Sequence, residues 1–422
     1  MGRIVVVGGG WAGCAAALAA ARMGQESILI ERTDDLLGCG LLGGIYRNFG
    51  RATAIMEAQA MGGGELFHAM DEAVRHVNPP IPKMENQNVY DILRIQGKVR
   101  SRLDGAGVQI RLRTRVVKAE SRNGRVTAVY LEDGEKVEAD VFVDATGSGG
   151  PEELCRKWGL GCVSCLLRCP TFGARVSVAG LLGIQEGVGR SGENYGAISA
   201  GSHLLKESLS PDLAGELESK GCMLVPIPAS LKNQETDWAA TKHYASDEFK
   251  QTLVIVDNGQ VLVMLRPFIP IEQVRQIEGL ENARFFDPLA GGVGNSVRFL
   301  SVVETGPDFK APGFENLYCA GEKVGLLVGN TEAVLTGELA GNNAARTARG
   351  DEALMLPRTT VLGDGLAYAG ELLRGPGGYG KRYSFGGGEV QTRMREKGMY
   401  QLDPEVIAAR IKELGLAGTL AP

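Results

Sequence analysis

The segment GGGWAG at residues 8–13 constrains the fold of this 422-residue chain more than any other feature. It follows an apolar run, RIVVV at residues 3–7, and precedes a stretch of small apolar residues from Ala12 to Met23. This order predicts a buried strand, a tight glycine turn and a helix. A second predicted strand, Ser27 to Ile30, ends at Glu31 and completes a βαβ unit about 30 residues long.

The glycine spacing of this segment is typical of dinucleotide-binding proteins. Gly8 permits the tight turn, Gly10 lets the backbone approach a pyrophosphate, and Gly13 lets helix and strand pack closely. The helix N-terminus adds donors and partial positive charge, and Glu31 stands where a carboxylate accepts hydrogen bonds from ribose hydroxyls. The residues that this unit is predicted to place against a dinucleotide are Gly8, Gly10, Trp11, Ala12, Gly13, Glu31 and Arg32.

Composition supports a nucleotide-binding α/β protein and excludes several other classes. Hydrophobic residues make up 44% of the chain, so a large core is available, and the 60 glycines are typical of tight turns. A net charge of −5, with no apolar run as long as a membrane helix, excludes collagen-like, coiled-coil, membrane-spanning and nucleic-acid-coating proteins. We expect the eight cysteines to be reduced thiols, metal ligands or redox-active groups of a cytoplasmic protein without a membrane partner.

The predicted organisation is a discontinuous domain with an insertion. Residues 1–150 and 311–350 carry the βαβ texture of a Rossmann-like parallel sheet, in the α/β class. Between them, residues 151–310 alternate strand-like runs with polar stretches, which predicts an inserted mixed α+β substrate domain, called the insert below. Residues 351–422 predict a weakly patterned tail that ends in a helix.

Two later segments identify the dinucleotide. Asp144-Ala145-Thr146-Gly147 ends one predicted strand, and Tyr318 to Glu322 ends another before a helix. With the first motif they resemble the three FAD-contact segments of the flavoprotein superfamily that has a glutathione-reductase-type FAD domain. The resemblance implies that FAD is the cofactor and that the helix after Asn330 points its N-terminus at the flavin pyrimidine. It adds, as predicted FAD contacts, Val116, Ala145, Thr146, Gly147, Gly321, Glu322 and Asn330.

Three stretches resemble a narrower family, the GidA and TrmFO-type flavoproteins, which modify tRNA. They are GGGWAGCAAALAAARMG at the first motif, GLENARFFDP at 279–288, and AGEKVGLLVGNTEAVLTGELAGNNAAR at 320–346. TrmFO-type enzymes use reduced FAD, methylenetetrahydrofolate and cysteine chemistry to methylate a uridine. Because Gly221-Cys222-Met223 resembles a segment with a functional cysteine, the resemblance implies a nucleophile at Cys222. Cys39 lies in the region of the family's other cysteine, although its neighbours differ.

Four cysteines are crowded together in the spacing C-x6-C-x2-C-x3-C. Thiolates at this spacing can converge on one iron–sulfur cluster or one zinc ion. A redox-active dithiol of Cys162 with Cys165 or Cys169, and small buried side chains without chemistry, are the other two hypotheses. The predicted metal ligands are Cys155, Cys162, Cys165 and Cys169, and the predicted catalytic cysteines are Cys165, Cys169 and Cys222.

Two further motifs receive structural interpretations. Residues 187–192 repeat the G-x-G-x-x-G spacing but lack a strand and a helix around it, so we expect a loop there and only transient docking of NAD(P)H. A small basic group near the C-terminus is predicted to be a solvated tail. Its members are Lys381, Arg382, Arg393, Arg395 and Lys397.

These observations predict an FAD-dependent oxidoreductase that acts on a small molecule through a tightly bound flavin. The predicted cysteine relay could pass electrons onward, with a redox partner protein as a second partner. The net charge and the lack of a dense basic stripe argue against an RNA substrate. Two alternatives stay open, a TrmFO/GidA-like RNA-modifying methyltransferase that uses folate and FAD, and a flavin electron carrier.

Overall fold

The computed structural model describes the chain from Met1 to Pro422 outside eight segments and four single residues. The positions left out are 82–83, 148–168, 170, 192–193, 196, 199–201, 233–251, 265–269, 287–296, 299–300, 326 and 382.

Helices and strands alternate along the first third of the chain, and short strands dominate the middle. The strands are β1 (Arg3–Val7), β2 (Glu26–Ile30), β3 (Ile45–Tyr46), β4 (Val74–Val77), β5 (Asn88–Tyr90), β6 (Gln109–Arg111), β7 (Val116–Arg122), β8 (Arg125–Leu131), β9 (Lys136–Glu138), β10 (Val141–Asp144), β11 (Gly187–Val188), β12 (Arg190–Ser191), β13 (Asn194–Tyr195), β14 (Ala197–Ile198), β15 (Ser202–Leu204), β16 (Cys222–Pro226), β17 (Thr252–Asp257), β18 (Val261–Met264), β19 (Val297–Arg298), β20 (Ser301–Val302) and β21 (Leu317–Cys319). The helices are α1 (Trp11–Arg22), α2 (Gly50–Ala60), α3 (Glu65–Glu72), α4 (Ile95–Gly105), α5 (Val178–Leu181), α6 (Pro211–Lys220), α7 (Ala229–Lys232), α8 (Ile271–Val274), α9 (Asn330–Arg349), α10 (Val361–Arg374), α11 (Gly388–Glu396) and α12 (Pro404–Glu413).

A five-stranded parallel sheet in the order β21-β10-β1-β2-β6 forms the centre of the molecule. Its central strands β10, β1 and β2 are short, mostly apolar runs whose side chains are largely buried, as in a sheet covered on both faces. Val7, the last residue of β1, stands beside Asp144 on one side and Ile30 on the other. The predicted α/β class and Rossmann-like parallel sheet are therefore confirmed, and the three predicted cofactor segments end at the same edge of the sheet.

Small residues let α1 and α9 pack closely beside that sheet. A Cβ atom on Gly337 would lie 2.2 Å from the carbonyl oxygen of Ala12, and one on Gly341 would lie 2.3 Å from that of Ala16. The two helix backbones approach each other at these glycines, which brings the N-terminal halves of both helices to the same edge of the sheet.

The insert contributes an antiparallel four-stranded sheet, β15-β18-β17-β16, with helices beside it. It has its own hydrophobic cluster, in which Leu204, Leu253 and Val263 are buried. This is the mixed α+β texture that the sequence predicts. The second glycine motif lies in the short strands β11 and β12 as far as it is described, and β11 pairs with β20. Among the residues described at and after this motif, no helix begins of the kind that a nucleotide-binding turn requires.

Residues after Gly350 are more ordered than the predicted tail. Helices α10, α11 and α12 pack on the rest of the chain, and Glu57 of the buried helix α2 links two of them. Its carboxylate accepts hydrogen bonds from the backbone N–H groups of Val361 and Leu362, at 2.9 and 3.0 Å, and from Arg410 at 2.7 Å. These contacts join positions 304 to 353 residues apart in the sequence, so no local sequence pattern predicts them.

Within the described part of the chain, no helix is both long enough and apolar enough to cross a membrane.

Candidate functional site

A cavity lies at the carboxyl edge of the parallel sheet, where β1, β2, β10 and β21 end. Ligands of open α/β sheets bind at this edge, because the turns that follow the strands leave a crevice there. Every predicted FAD-contact residue except one lines the cavity. These residues are Gly8, Gly10, Trp11, Ala12, Glu31, Arg32, Val116, Ala145, Thr146, Gly147, Gly321, Glu322 and Asn330.

The glycine turn forms the floor of this cavity. Gly8 has a φ of +105°, which favours glycine, and a Cβ atom there would lie 2.4 Å from the carbonyl oxygen of Ala145. Gly13, the predicted residue that does not line the cavity, lies beneath the turn, where a Cβ atom would be 1.7 Å from the Gly8 oxygen. A Cβ atom on Gly10 would meet no atom within 4 Å, so the backbone faces open space wide enough for a ligand.

Two helices direct their N-termini at the cavity. Helix α1 begins after Gly10 and α9 begins after Gly329, and neither N-cap residue provides a side-chain hydrogen bond. Gly10, Gly329 and Asn330 line the cavity. The first backbone N–H groups of a helix have no partner inside the helix, so both ends offer donors and partial positive charge to an anionic ligand.

Acidic residues fix the loops around the cavity. Glu31 accepts hydrogen bonds from the backbone N–H groups of Gly9 at 2.7 Å and Thr33 at 2.8 Å, which holds its carboxylate at the cavity wall. The buried Asp144 accepts hydrogen bonds from the N–H and the hydroxyl of Thr146, at 3.0 and 2.6 Å. These hydrogen bonds within the chain hold the loops that carry the predicted ribose and diphosphate contacts.

The donor set therefore fits a dinucleotide. The glycine backbone and two helix N-termini face the cavity, a carboxylate stands at the end of β2, and Val116 lies on the wall between them. These are the groups that FAD needs for its pyrophosphate, ribose, adenine and flavin ends.

Sequence reasoning did not place Cys39, Arg115 and Arg175 at this cavity, yet all three line it. Cys39 belongs to the cavity loop, residues 38–44, which follows β2. A guanidinium nitrogen of Arg175 lies 3.9 Å from the Cys39 sulfur. The family resemblance pointed to the region of Cys39, whereas no local pattern indicated that Arg175, from the insert, reaches it.

Cys222 lies apart from the cavity. It begins β16 and is buried in an apolar cluster with Val254, Val256 and Leu262. Burial raises the pKa of its thiol to about 12, so the group is protonated at neutral pH. The geometry gives no support to the prediction that this thiol is a nucleophile at the cavity.

The four-cysteine cluster is described only at its last member. Cys155, Cys162 and Cys165 lie outside the described residues, and Cys169 is a partly exposed free thiol. Among the residues that the structure does describe, no group of three or more His, Cys, Asp or Glu side chains could hold a metal ion.

The basic group near the C-terminus is paired within the chain. Arg393 and Lys397 both contact the carboxylate of Asp364, and Arg395 contacts Glu85. Lys381 likewise lies 2.7 Å from Glu389, and Arg382 is outside the described residues. These side chains stabilise α10 and α11 rather than form a solvated tail.

Comparison with known proteins gives two family matches. Residues 3–154 match the family model described as FAD dependent oxidoreductase, and residues 265–352 match the one described as Glucose inhibited division protein A. The first match covers the glycine turn and the Asp144 segment, and the second covers α9. FAD is the cofactor that the first family name implies, whereas neither match gives support for an iron–sulfur cluster or for NAD(P)H.

Curated relatives and a solved structure agree with these matches. The tRNA uridine 5-carboxymethylaminomethyl modification enzyme MnmG of Desulfotalea psychrophila is 25% identical over 439 aligned positions, which cover 88% of this chain and 63% of that protein. The methylenetetrahydrofolate–tRNA-(uracil-5-)-methyltransferase TrmFO of Enterococcus faecalis is 39% identical over 95 residues, or 22% of this chain and 21% of that protein. The form II crystal structure of Aquifex aeolicus GidA has a TM-score of 0.72 and 19% identity, and it covers 99% of this chain and 74% of that chain.

The chain thus spans less than two thirds of the length of the MnmG relative. The likeness to the GidA structure confirms the fold, and the family matches and relatives confirm the predicted resemblance.

Proposed function

We propose that this chain is an FAD-dependent enzyme that modifies carbon 5 of a uridine in tRNA. The chain matches an FAD-dependent oxidoreductase family model and resembles the GidA and TrmFO-type flavoproteins. The observation that carries this proposal is the match to MnmG over 88% of the chain, which includes the insert as well as the cofactor site. The names of both relatives specify tRNA and position 5 of uridine. The relatives therefore favour the RNA-modifying alternative over the predicted small-molecule substrate.

The argument from net charge against RNA carries less weight than these relatives. A net charge of −5 is a sum over the whole molecule, whereas contact with RNA depends on which charges share one surface. The paired basic group around Asp364 is a poor candidate for that surface, because its cations already have carboxylate partners. A cytoplasmic location remains part of the proposal.

In this proposal, each group of residues around the cavity binds a particular part of FAD. The glycine turn and the α1 N-terminus would hold the FAD pyrophosphate, Glu31 the ribose and Val116 the adenine. The N-terminus of α9 would favour negative charge on the flavin end. The bound flavin supplies the hydride or electron transfer, and this chain's residues orient it and exclude water.

Cys39 is the thiol that we propose for the chemistry of this site, in place of Cys222. Cys39 lines the cavity, and a guanidinium nitrogen of Arg175 lies 3.9 Å from its sulfur. Cys222 lines no part of the cavity, and its pKa of about 12 keeps it protonated. The thiols of Cys165 and Cys169 remain predictions.

The experiment that tests the proposal supplies the purified holoprotein with tRNA that lacks base modifications, methylenetetrahydrofolate and a reductant. Mass spectrometry of digested nucleosides would reveal a new uridine derivative that depends on FAD and on folate. Cys39→Ala is expected to abolish the product, whereas Cys222→Ala retains it. A protein that leaves every uridine unchanged but turns over a small substrate without tRNA would contradict the proposal.

A further inference from the structure

A short segment of the insert lies along the cofactor cavity. This segment, residues 173–176, is called the strap, and it precedes α5. Arg175 and Val176 of the strap line the same cavity as the glycine turn of β1 and α1. The cavity wall is therefore built from two parts of the chain, the parallel-sheet region and the insert.

Arg32, which follows β2, and Arg115, which precedes β7, both hydrogen-bond to the backbone of the strap. Arg32 donates a hydrogen bond to the carbonyl oxygen of Gly173 at 2.8 Å, and Arg115 donates one to that of Ala174 at 3.0 Å. Gly173 has a φ of +77°, and a Cβ atom there would lie 2.8 Å from the Arg115 side chain. Glycine at this position lets the strap pass directly against the guanidinium that fastens it.

The other end of the strap is fixed as well. The backbone N–H of Ala179 donates to the buried Asp144 carboxylate at 2.9 Å, and Ser177 caps the start of α5 through the N–H of Gly180 at 3.0 Å. Asp144 also positions Thr146 at the cavity wall. Arg175 is thus held between two anchors, the cavity-lining Arg32 and Arg115 on one side and the buried Asp144 on the other.

The distribution of charge around the cavity indicates what Arg175 binds. The glycine turn and the helix N-termini offer backbone donors to a dinucleotide but no full positive charge. Arg32 and Arg115 each donate a hydrogen bond to a strap carbonyl, and Arg175 extends to the Cys39 side of the cavity. Guanidinium groups match phosphate oxygens in geometry and stay charged at every accessible pH.

We propose that Arg175 of the insert binds the pyrophosphate of FAD, so that the insert completes the cofactor site. Cofactor binding and the position of the insert are coupled through this contact. The inference rests on FAD as the cofactor and not on the tRNA substrate, so either can fail without the other.

The test measures the dissociation constants of FAD, ADP and riboflavin for the flavin-free protein, by fluorescence titration and by competition against FAD. ADP carries the pyrophosphate without the flavin, and riboflavin carries the flavin without phosphate. Arg175→Gln is expected to weaken FAD and ADP by about tenfold or more, the usual loss for one hydrogen bond to a charged group, and to leave riboflavin unchanged. Arg175→Lys, which keeps the charge, should recover part of that loss.

Arg122→Gln is the matched control, because it removes the same charge from an exposed end of β7. It should leave all three dissociation constants unchanged. Unchanged ADP binding in Arg175→Gln would overturn the proposal, and so would an equal loss for ADP and riboflavin, since a purely structural role weakens every ligand alike. Higher salt should weaken ADP binding more in the wild type than in Arg175→Gln, because screening acts on the charge that the variant lacks.

Discussion

Glu338 is a carboxylate buried in helix α9, and both of its oxygens accept the backbone N–H of Gly64, at 2.8 and 2.9 Å. Burial raises its pKa from 4.5 to about 7. The folded protein therefore holds this proton to higher pH than the unfolded chain does, so this group lowers the free energy of unfolding as pH rises from 4.5 to 7. Above pH 7 the loss is complete.

Glu338→Gln removes this titration and keeps an acceptor for Gly64. Relative to the wild type, the variant should gain stability between pH 5 and pH 8, by up to about 3 kcal/mol for a shift of this size. Urea unfolding of both proteins with saturating FAD measures the difference. Glu396→Gln, an exposed carboxylate on α11, should follow the wild type. If the stability difference between Glu338→Gln and the wild type is the same at pH 5 and at pH 8, the raised pKa of Glu338 is wrong.

The cavity loop shows how separate elements hold one wall of the site. The hydroxyl of Tyr90, in β5, donates to the carbonyl oxygen of Gly40 at 2.6 Å. Asn258, which follows β17, donates to the carbonyl oxygen of Gly43, and its amide nitrogen lies 2.8 Å from Nε2 of His203. Burial lowers the pKa of His203 to about 4, so the ring is neutral and Nε2 accepts the second amide hydrogen.

Asn258→Ala should loosen this loop, because the Gly43 oxygen and the His203 ring both lose a buried partner. We expect faster alkylation of Cys39 by iodoacetamide and weaker FAD binding, each by several-fold. Peptide mass spectrometry follows the alkylation. Asn282→Ala, on an exposed turn of the insert, is the control. A Cys39 rate that stays at the wild-type value in Asn258→Ala would show that the loop does not depend on this anchor.

Elements with strong local patterns could be predicted from the sequence. Helix α1 was expected from Ala12 to Met23 and spans Trp11–Arg22, and the helix expected from about Thr331 spans Asn330–Arg349. Buried parallel strands and glycine turns leave such patterns because their neighbours are close in sequence. The spacing of apolar residues from Val89 to Leu103 predicts a helix, but α4 begins only at Ile95, since Asn88–Tyr90 is strand β5 and pairs with β3 and β4.

The contacts that complete the cavity wall depend instead on distant pairs. Arg175 reaches Cys39 across 136 positions, and Asn258 reaches Gly43 across 215. No spacing rule within a window of sequence predicts such contacts, because they follow from how the insert packs against the sheet. The GxGxxG turn and the segments at Thr146 and Glu322 could therefore be predicted as site residues, whereas the contact of Arg175 with Cys39 and the fastening of the cavity loop could not.

At the scale of the whole molecule, Glu57 joins the C-terminal helices to the core. Its buried carboxylate satisfies two N–H groups at the start of α10 and pairs with Arg410 of α12. The last residues also return to this region, since the N–H of Leu420 donates to the carbonyl oxygen of Met61, just after α2. The C-terminal helices are thus part of the same folded unit as the cofactor cavity.

Glu57→Ala would leave these N–H groups and the Arg410 guanidinium without their buried partner. Removal of one side of a buried ion pair costs about 3–5 kcal/mol. We therefore expect a fall of that order in the free energy of unfolding, measured by urea denaturation with saturating FAD. Limited proteolysis should also release a C-terminal fragment faster than from the wild type. Glu413→Ala, at the exposed end of α12, should change neither quantity. Wild-type stability and wild-type proteolysis in Glu57→Ala would mean that the C-terminal helices pack on the core without this link.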